Sequence, residues 1–169
     1  MTSRENFSTL RLSVPDTAAR AAHPASRLQR IEGSRIVNHT DLGRHLQRLL
    51  HTNTAARLIA PYGTYMQGGC LVLAKAIQAL DPQHTTLLVT VRFEGLVTDH
   101  VIAKWHDLYL DGDGAGTLLD ITEKMRLCES GLVSHLAALE TVALHEDIQS
   151  DPATVAQLAA WLKPQLRLR

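Results

Sequence analysis

Cysteine is scarce in this chain of 169 residues, which contains only Cys70 and Cys128. The two cysteines form neither a C-x-x-C pair nor the dense framework of a small disulfide-stapled domain. A chain of this length can bury a hydrophobic core as one domain without such staples. We therefore expect a reducing compartment and no disulfide scaffold.

The chain also lacks an excess of charge of either sign and any long apolar run. Its 17 lysine and arginine residues balance 17 aspartate and glutamate residues, which predicts no broad electrostatic surface for nucleic acid or an anionic membrane. No uncharged run approaches the roughly 20 residues of a spanning helix, and the polar first residues do not resemble a secretory signal. We expect no nucleic-acid or membrane partner, and a location in the cytoplasm or export without a cleavable signal.

Residues 1–38 differ in composition from the rest of the chain. They are rich in Ser, Thr, Ala and Arg and are interrupted by Pro15 and Pro24. This composition predicts a flexible, arginine-bearing N-terminal arm. The arm would be followed by a single α+β domain of catalytic type over residues 39–169. A solvated arm is preferred to one that binds a polyanion or a partner.

What the chain does contain is a glycine pair, a cysteine and an apolar run in direct succession. Gly68 and Gly69 precede Cys70, and residues 71–80 are almost entirely apolar. The run predicts a helix that is buried on most sides. A cysteine in its first turn would lie among unpaired backbone N–H groups at the positive end of the helix dipole, which favours the thiolate. The glycines, having no Cβ, would let another chain approach the sulfur. This suits a nucleophile, but a buried structural cysteine is the competing interpretation.

Alternating and β-branched residues predict a small antiparallel sheet after this helix. Residues 85–93 place apolar side chains on one side, and residues 97–105 and 108–111 would form a hairpin around His106 and Asp107. Four further helices are predicted from apolar spacing and capping residues, and for the third a helix is preferred to a helix followed by a strand. These helices cover about residues 41–51, 117–128, 132–145 and 152–163.

The predicted hairpin places a histidine and two carboxylates on one face of the sheet. If the two strands pair residue by residue outward from Trp105 and Leu108, His100 lies opposite Asp113. Asp111 is then the diagonal neighbour of His100. Directly paired side chains share a face, so either carboxylate would be within reach of the histidine. A slip of one residue would turn both carboxylates away. Simple pairing favours Asp113, and the choice between the two stays open.

A cysteine at a helix N-terminus, a histidine and a carboxylate match the nucleophile, base and orienting group of covalent catalysis. In that scheme His100 accepts the thiol proton of Cys70 and later protonates the leaving group, while the carboxylate orients the ring. The backbone N–H of Cys70 and the preceding loop would stabilise the oxyanion. The candidate oxyanion or substrate contacts in that loop are Tyr65, Gln67 and Gly69.

The order of these residues resembles the papain-like fold in its broad sense, which includes transglutaminase-like proteins and arylamine N-acetyltransferases. Residues 67–70, Gln-Gly-Gly-Cys, are similar to the acetyltransferase motif Arg-Gly-Gly-x-Cys with one residue missing and the arginine absent. Residues 99–112 are similar to the histidine and aspartate strands that these groups share. The resemblance implies a papain-like α+β fold, in which a buried cysteine helix packs on a small antiparallel sheet with flanking helices. It also implies Cys70 as nucleophile, His100 as base and Asp111 as the orienting carboxylate.

Parts of the sequence suggest a calcium site and a zinc site, but we expect neither. Residues 111–116 begin like a calcium loop, but the fifth ligand position is alanine and the twelfth is threonine. Zinc ligands would have to come from His100, His106, Asp107 and Cys128, which offer neither a close pair on a helix face nor a C-x-x-C knuckle. The sequence therefore predicts no metal and no cofactor.

These residues together predict a cysteine-dependent hydrolase that acts through a covalent acyl-enzyme: a peptidase, isopeptidase, amidase or deamidase. Its substrate would be a peptide or protein amide. One alternative is an acyltransferase that uses the same triad with an amine as acceptor. The other is a non-catalytic binding or accessory protein in which Cys70 is a buried structural residue.

Overall fold

The computed structural model describes residues 39–66, 68–92, 97–128, 133–166 and 168. The predicted arm of residues 1–38 lies outside these ranges. The described residues form five α-helices and a five-stranded antiparallel sheet, which confirms the predicted α+β class. None of the helices in these ranges combines the length and the apolar character needed to cross a membrane.

Three of the five α-helices precede the sheet in the chain, and the other two flank its last strand. The helices are α1 (His39–Leu50), α2 (Asn53–Ile59), α3 (Cys70–Leu80), α4 (Leu118–Cys128) and α5 (Pro152–Leu162). The strands are β1 (Thr85–Arg92), β2 (Val97–Trp105), β3 (Leu108–Asp111), β4 (Gly114–Gly116) and β5 (Val133–Ala138). Their order across the sheet is β4-β3-β2-β1-β5, with every neighbouring pair antiparallel.

Helix α3 is the central element of the fold. It contacts β1, β2 and β3 on one side and α5 on another, and most of its side chains are buried. Its two polar side chains, Lys75 and Gln78, are half-buried, and Nζ of Lys75 donates to the hydroxyl of Ser150 at 2.9 Å. The prediction of a helix buried on most sides is confirmed.

The two faces of the sheet are covered by different helices. Ala103 of β2 and Leu110 of β3 belong to the buried core that contains α3. Their neighbours Ile102 and Tyr109 point to the other face and pack with Ile121 of α4. The alternation of side chains along a strand therefore decides whether a residue meets α3 or α4.

The hairpin of β2 and β3 has the predicted register, with Trp105 paired to Leu108. The prediction fails where β3 ends. The chain turns back directly after Asp111 into β4, so that Asp111 pairs with Gly114. Residues 111–116, predicted as a loop, therefore contain a fourth strand.

The helix preferred for residues 132–145 is wrong, because this segment contains β5. Strand β5 lies along the outer side of β1 and pairs Leu88 with Ala138 and Val91 with His135. Without it, the backbone N–H and C=O groups on that side of β1 would lack strand partners. Tertiary pairing thus outweighs the three-residue apolar spacing that favoured a helix.

Capping residues define two helix starts. Oδ1 of Asp151 accepts the N–H of Thr154 at 2.9 Å, and Pro152 occupies the first turn, so α5 begins where predicted. Helix α2 was not predicted. Its cap is Thr52, whose hydroxyl accepts the N–H of Ala55 at 3.3 Å.

Candidate active site

Cys70 is the first residue of α3 and is only 1% exposed. The glycines before it make room for the protein's own backbone. Gly68 has a φ of 80°, and a Cβ at this position would collide with the carbonyl oxygen of Tyr62. A Cβ on Gly69 would lie 2.8 Å from the carbonyl oxygen of Thr64. Instead of opening the sulfur to another chain, as expected, the glycines let the preceding loop pack against the start of α3.

Strand β2 is irregular beside His100. Strict alternation would place His100 on the α4 face together with Ile102. The pairing of β1 with β2, however, shifts between Val89 and Val91, which inserts an extra residue of β2 next to His100. A bulge changes the direction of the strand around it, and Cys70 is one of the groups that raise the pKa of His100.

The ring of His100 also meets Asp111, the last residue of β3. Its Nε2 atom lies 3.4 Å from Oδ2 of Asp111. The other ring nitrogen, Nδ1, is buried and has no hydrogen-bond partner in the part of the chain that the structure describes. His100 is 9% exposed and Asp111 is 3% exposed. One ring nitrogen of His100 is thus at the carboxylate of Asp111, and the other has no partner among the described residues.

The surroundings of His100 favour its charged form. Burial alone would lower the pKa of His100, because desolvation penalises the imidazolium. The hydrogen bond with Asp111 and the interaction with Cys70 outweigh burial and raise the pKa of His100 from 6.5 to about 9. The ring is therefore mostly protonated at neutral pH.

The surroundings of Asp111 also favour its charged form, here by lowering the pKa of the carboxyl group. Burial would raise the pKa of Asp111, but the hydrogen bond with His100 and the nearby ammonium of Lys124 hold this pKa below its usual value. Oδ1 of Asp111 also accepts the backbone N–H of Asp113 at 2.9 Å. A buried carboxylate with three partners is well fixed in position for orienting the histidine ring.

Asp113 takes a different place from the one predicted. It lies on the turn between β3 and β4, where its side chain is 47% exposed. Its carboxylate pairs with Lys124, and its N–H supports Asp111. The predicted pairing of Asp113 with His100 is wrong because the chain turns before it reaches that position. Asp111 is the carboxylate at the ring.

Lys124 of α4 belongs to the site although the sequence did not point to it. Its Nζ lies 2.5 Å from Oδ2 of Asp111 and 2.6 Å from Oδ2 of Asp113. One weak signal was present. Lys124 follows the apolar Ile121 by three residues, so both lie on the same face of the predicted helix. Only the packing of α4 on the sheet shows that this face meets two carboxylates.

The structure describes two of the three loop residues predicted as oxyanion or substrate contacts. Tyr65 is buried, its hydroxyl donates to the carbonyl oxygen of Ala55 at 2.9 Å, and burial raises its pKa. The N–H of Gly69 donates to the carbonyl oxygen of Thr64 at 3.0 Å. Gln67 lies outside the described residues. The hydroxyl of Tyr65 and the backbone N–H of Gly69 thus already donate to carbonyl oxygens of the protein.

Replacement of Lys124 by methionine is expected to lower the free energy of unfolding by about 2 kcal/mol at neutral pH. The alkyl packing is kept, but the buried carboxylate of Asp111 loses its cationic partner. The pKa of Asp111 should rise towards its usual value, so the loss of stability should shrink as the pH falls and the carboxylate is protonated. Chemical denaturation at neutral and acidic pH measures both effects.

The matched control for this change is Lys104→Met. Lys104 lies on β2, with its Nζ 5.9 Å from the centre of the Tyr109 ring, and it is not one of the cations that pair with Asp111 or Asp113 among the described residues. We expect it to lose much less stability. A loss in Lys124→Met that equals this control, or that does not change with pH, would contradict the role given to Lys124.

Comparison with known proteins supplies no relative from which a function can be transferred. The papain-like resemblance therefore stays a prediction, and the case for a function depends on the geometry of Cys70, His100 and Asp111. The chain matches no protein-family model, no curated protein and no solved structure.

Proposed function

We propose that the chain is a cysteine-dependent hydrolase of papain-like type that cleaves an amide of a peptide or protein through an acyl-enzyme on Cys70. One observation carries the proposal: Nε2 of the buried His100 ring lies 3.4 Å from Oδ2 of Asp111, and Cys70 is close enough to help raise the pKa of this ring. A nucleophile, a base and an orienting carboxylate are the groups that this chemistry needs. The α+β fold, with the cysteine at the start of its central helix, agrees with the proposal.

The first half of the reaction forms the acyl-enzyme. The Cys70 thiolate attacks the carbonyl carbon, the C–S bond forms, and the carbonyl electron pair moves to oxygen. As the tetrahedral intermediate collapses, the C–N bond breaks and the His100 imidazolium gives its Nδ1 proton to the departing amine. Asp111 keeps the ring in place through Nε2. The positive end of α3 favours the developing oxyanion, with the backbone N–H of Cys70 as donor.

The second half releases the acid. Neutral His100 removes a proton from a water molecule, whose oxygen attacks the thioester carbon. The C–S bond then breaks, and Cys70 leaves as the thiolate beside a histidine that is again protonated. With an amine in place of water, the same steps would transfer the acyl group.

The burial of Cys70 favours a second candidate, a non-catalytic binding protein. A thiol that is 1% exposed meets no substrate unless something moves. The loop before Cys70 packs on the residue that follows Asp111: a Cβ on Gly112 would lie 2.7 Å from Cβ of Tyr65 and 3.0 Å from Sδ of Met66. The hydrolase therefore requires this loop to shift when substrate binds, whereas a structural cysteine requires no movement.

Trapping the acyl-enzyme distinguishes the candidates without knowledge of the natural acceptor. The chain is incubated with a library of peptide and glutamine amides in the presence of hydroxylamine, which intercepts a thioester as a hydroxamate. We expect hydroxamate from the intact chain and from Cys128→Ser, but none from Cys70→Ser. Hydroxamate that forms equally well without Cys70 would contradict the proposal. Release of free acid in water alone separates hydrolysis from acyl transfer.

A further inference from the structure

A second group of titratable side chains lies at the other end of α3 from Cys70. Asp81 directly follows α3, His84 precedes β1, and His106 lies in the turn between β2 and β3. One possible ligand atom from each lies within 4.8 Å of the other two. Since α3 has 11 residues, a rise of about 1.5 Å per residue separates this group from Cys70 by roughly 16 Å. It is not part of the candidate active site.

Several contacts hold the three residues together. The backbone N–H of His106 donates to the carbonyl oxygen of His84 at 3.2 Å, and the two rings stack with their centres 4.7 Å apart. Nδ1 of His84 lies 2.9 Å from Oδ1 of Asp81. The indole N–H of Trp105 donates to Oδ2 of Asp81 at 2.9 Å. A carboxylate oriented by a neighbouring donor is a common support of a metal-binding residue.

His106 occupies an unusual backbone position. Its φ of 50° lies in the left-handed region, where glycine is the residue of least strain. It is the first residue of a two-residue hairpin turn, a position at which glycine and asparagine are favoured. A histidine in this place brings an imidazole beside the ring of His84, which the turn alone does not require.

We propose that Asp81, His84 and His106 bind a divalent transition-metal ion of the Zn²⁺ class. Two imidazoles and one carboxylate suit zinc, cobalt and nickel, whereas calcium and magnesium prefer oxygen ligands throughout. Three protein ligands leave a further position for water. The ion would join the end of α3, the start of β1 and the β2–β3 turn, and it would replace the hydrogen bond between His84 and Asp81.

The geometry allows this with small side-chain movements. Ligand atoms at about 2.1 Å from a tetrahedral zinc ion are about 3.4 Å apart, so no pair of ligand atoms within the present 4.8 Å has to approach by more than about 1.4 Å. The side chain of His84 is half exposed and His106 is exposed, so solvent leaves room for both rings to turn towards an ion.

Titration with Co²⁺, followed by its visible absorption, tests the site. The full-length chain carries Cys70→Ser and Cys128→Ser, so that no thiolate competes for the ion. We expect one equivalent to bind with a rise in the midpoint of thermal unfolding. His84→Gln and His106→Gln should each weaken binding at least tenfold, and Trp105→Phe, which removes the support of Asp81, about tenfold.

The matched control is His145→Gln. Nδ1 of His145 lies 3.2 Å from Oδ2 of Asp147, which makes it an exposed histidine beside a carboxylate, outside the proposed site. Its removal should leave Co²⁺ binding unchanged. All three substituted histidines are exposed, and unfolding without metal shows whether each variant is folded. Binding that survives in both His84→Gln and His106→Gln, or no stoichiometric binding to the parent chain, would overturn the proposal.

Discussion

Replacement of His100 by alanine is expected to slow the alkylation of Cys70 by iodoacetamide at least a hundredfold at neutral pH. The thiolate is the reactive form of cysteine, and in the proposed mechanism the protonated ring of His100 is the cation that stabilises it. Acid–base partners of this kind contribute about 10² to 10⁴ in rate. The measurement uses a Cys128→Ser background, so that all label is on Cys70.

The dependence on pH adds a second criterion. Because the pKa of His100 is about 9, the ring carries its positive charge below that pH and loses it above that pH. The rates of the intact chain and of His100→Ala should therefore converge as the pH rises past about 9. His51→Ala, a change of an exposed histidine after α1, is the matched control and should react like the parent.

The opposite result has an equally definite meaning. If Cys70 reacts slowly in the folded chain and equally slowly in His100→Ala, the burial of its side chain dominates and His100 does not activate it. The binding-protein candidate would then be the better account. Alkylation that appears only on unfolding would lead to the same conclusion.

Local patterns predicted the elements that carry Cys70, His100 and Asp111. The apolar run after Cys70 predicted α3, and β-branched alternation predicted β1 and the hairpin that carries His100 and Asp111. These elements follow from side-chain periodicity and from a short turn, both of which are local in sequence.

The parts that failed depend on contacts between distant segments. The position of β5 follows from the free side of β1, and the bulge beside His100 follows from how β2 pairs with β1. Lys124 enters the site only because α4 packs on the second face of the sheet. His106 meets Asp81 because the end of a helix and a hairpin turn lie together in the fold. None of these relations has a signature in one stretch of sequence.

The same charges that would activate the thiol should be visible in the stability of the fold. The pKa of His100 is 6.5 in the unfolded chain and about 9 in the folded protein. The ring of His100 therefore binds more protons in the folded protein than in the unfolded chain between these values, and the contribution of His100 to the free energy of unfolding must fall as the pH rises through them. At about 1.4 kcal/mol for each pH unit, the difference corresponds to about 3 kcal/mol.

This contribution is fully present below about pH 6.5 and should be lost by about pH 10. Chemical denaturation across this range measures the loss. Subtracting the free energy of unfolding of His100→Gln from that of the parent at each pH removes the background from lysine and tyrosine titration. We expect the slope between neutral pH and pH 9 to be much smaller in the variant, since it has no proton to release. Cys70→Ser separates the two partners of the ring: it should remove the share that depends on Cys70 and keep the share that depends on Asp111. If Cys70→Ser and the double variant Cys70→Ser/His100→Gln lose stability in parallel, Asp111 does not hold the ring as an imidazolium in the fold, and the orienting role given to this carboxylate is contradicted.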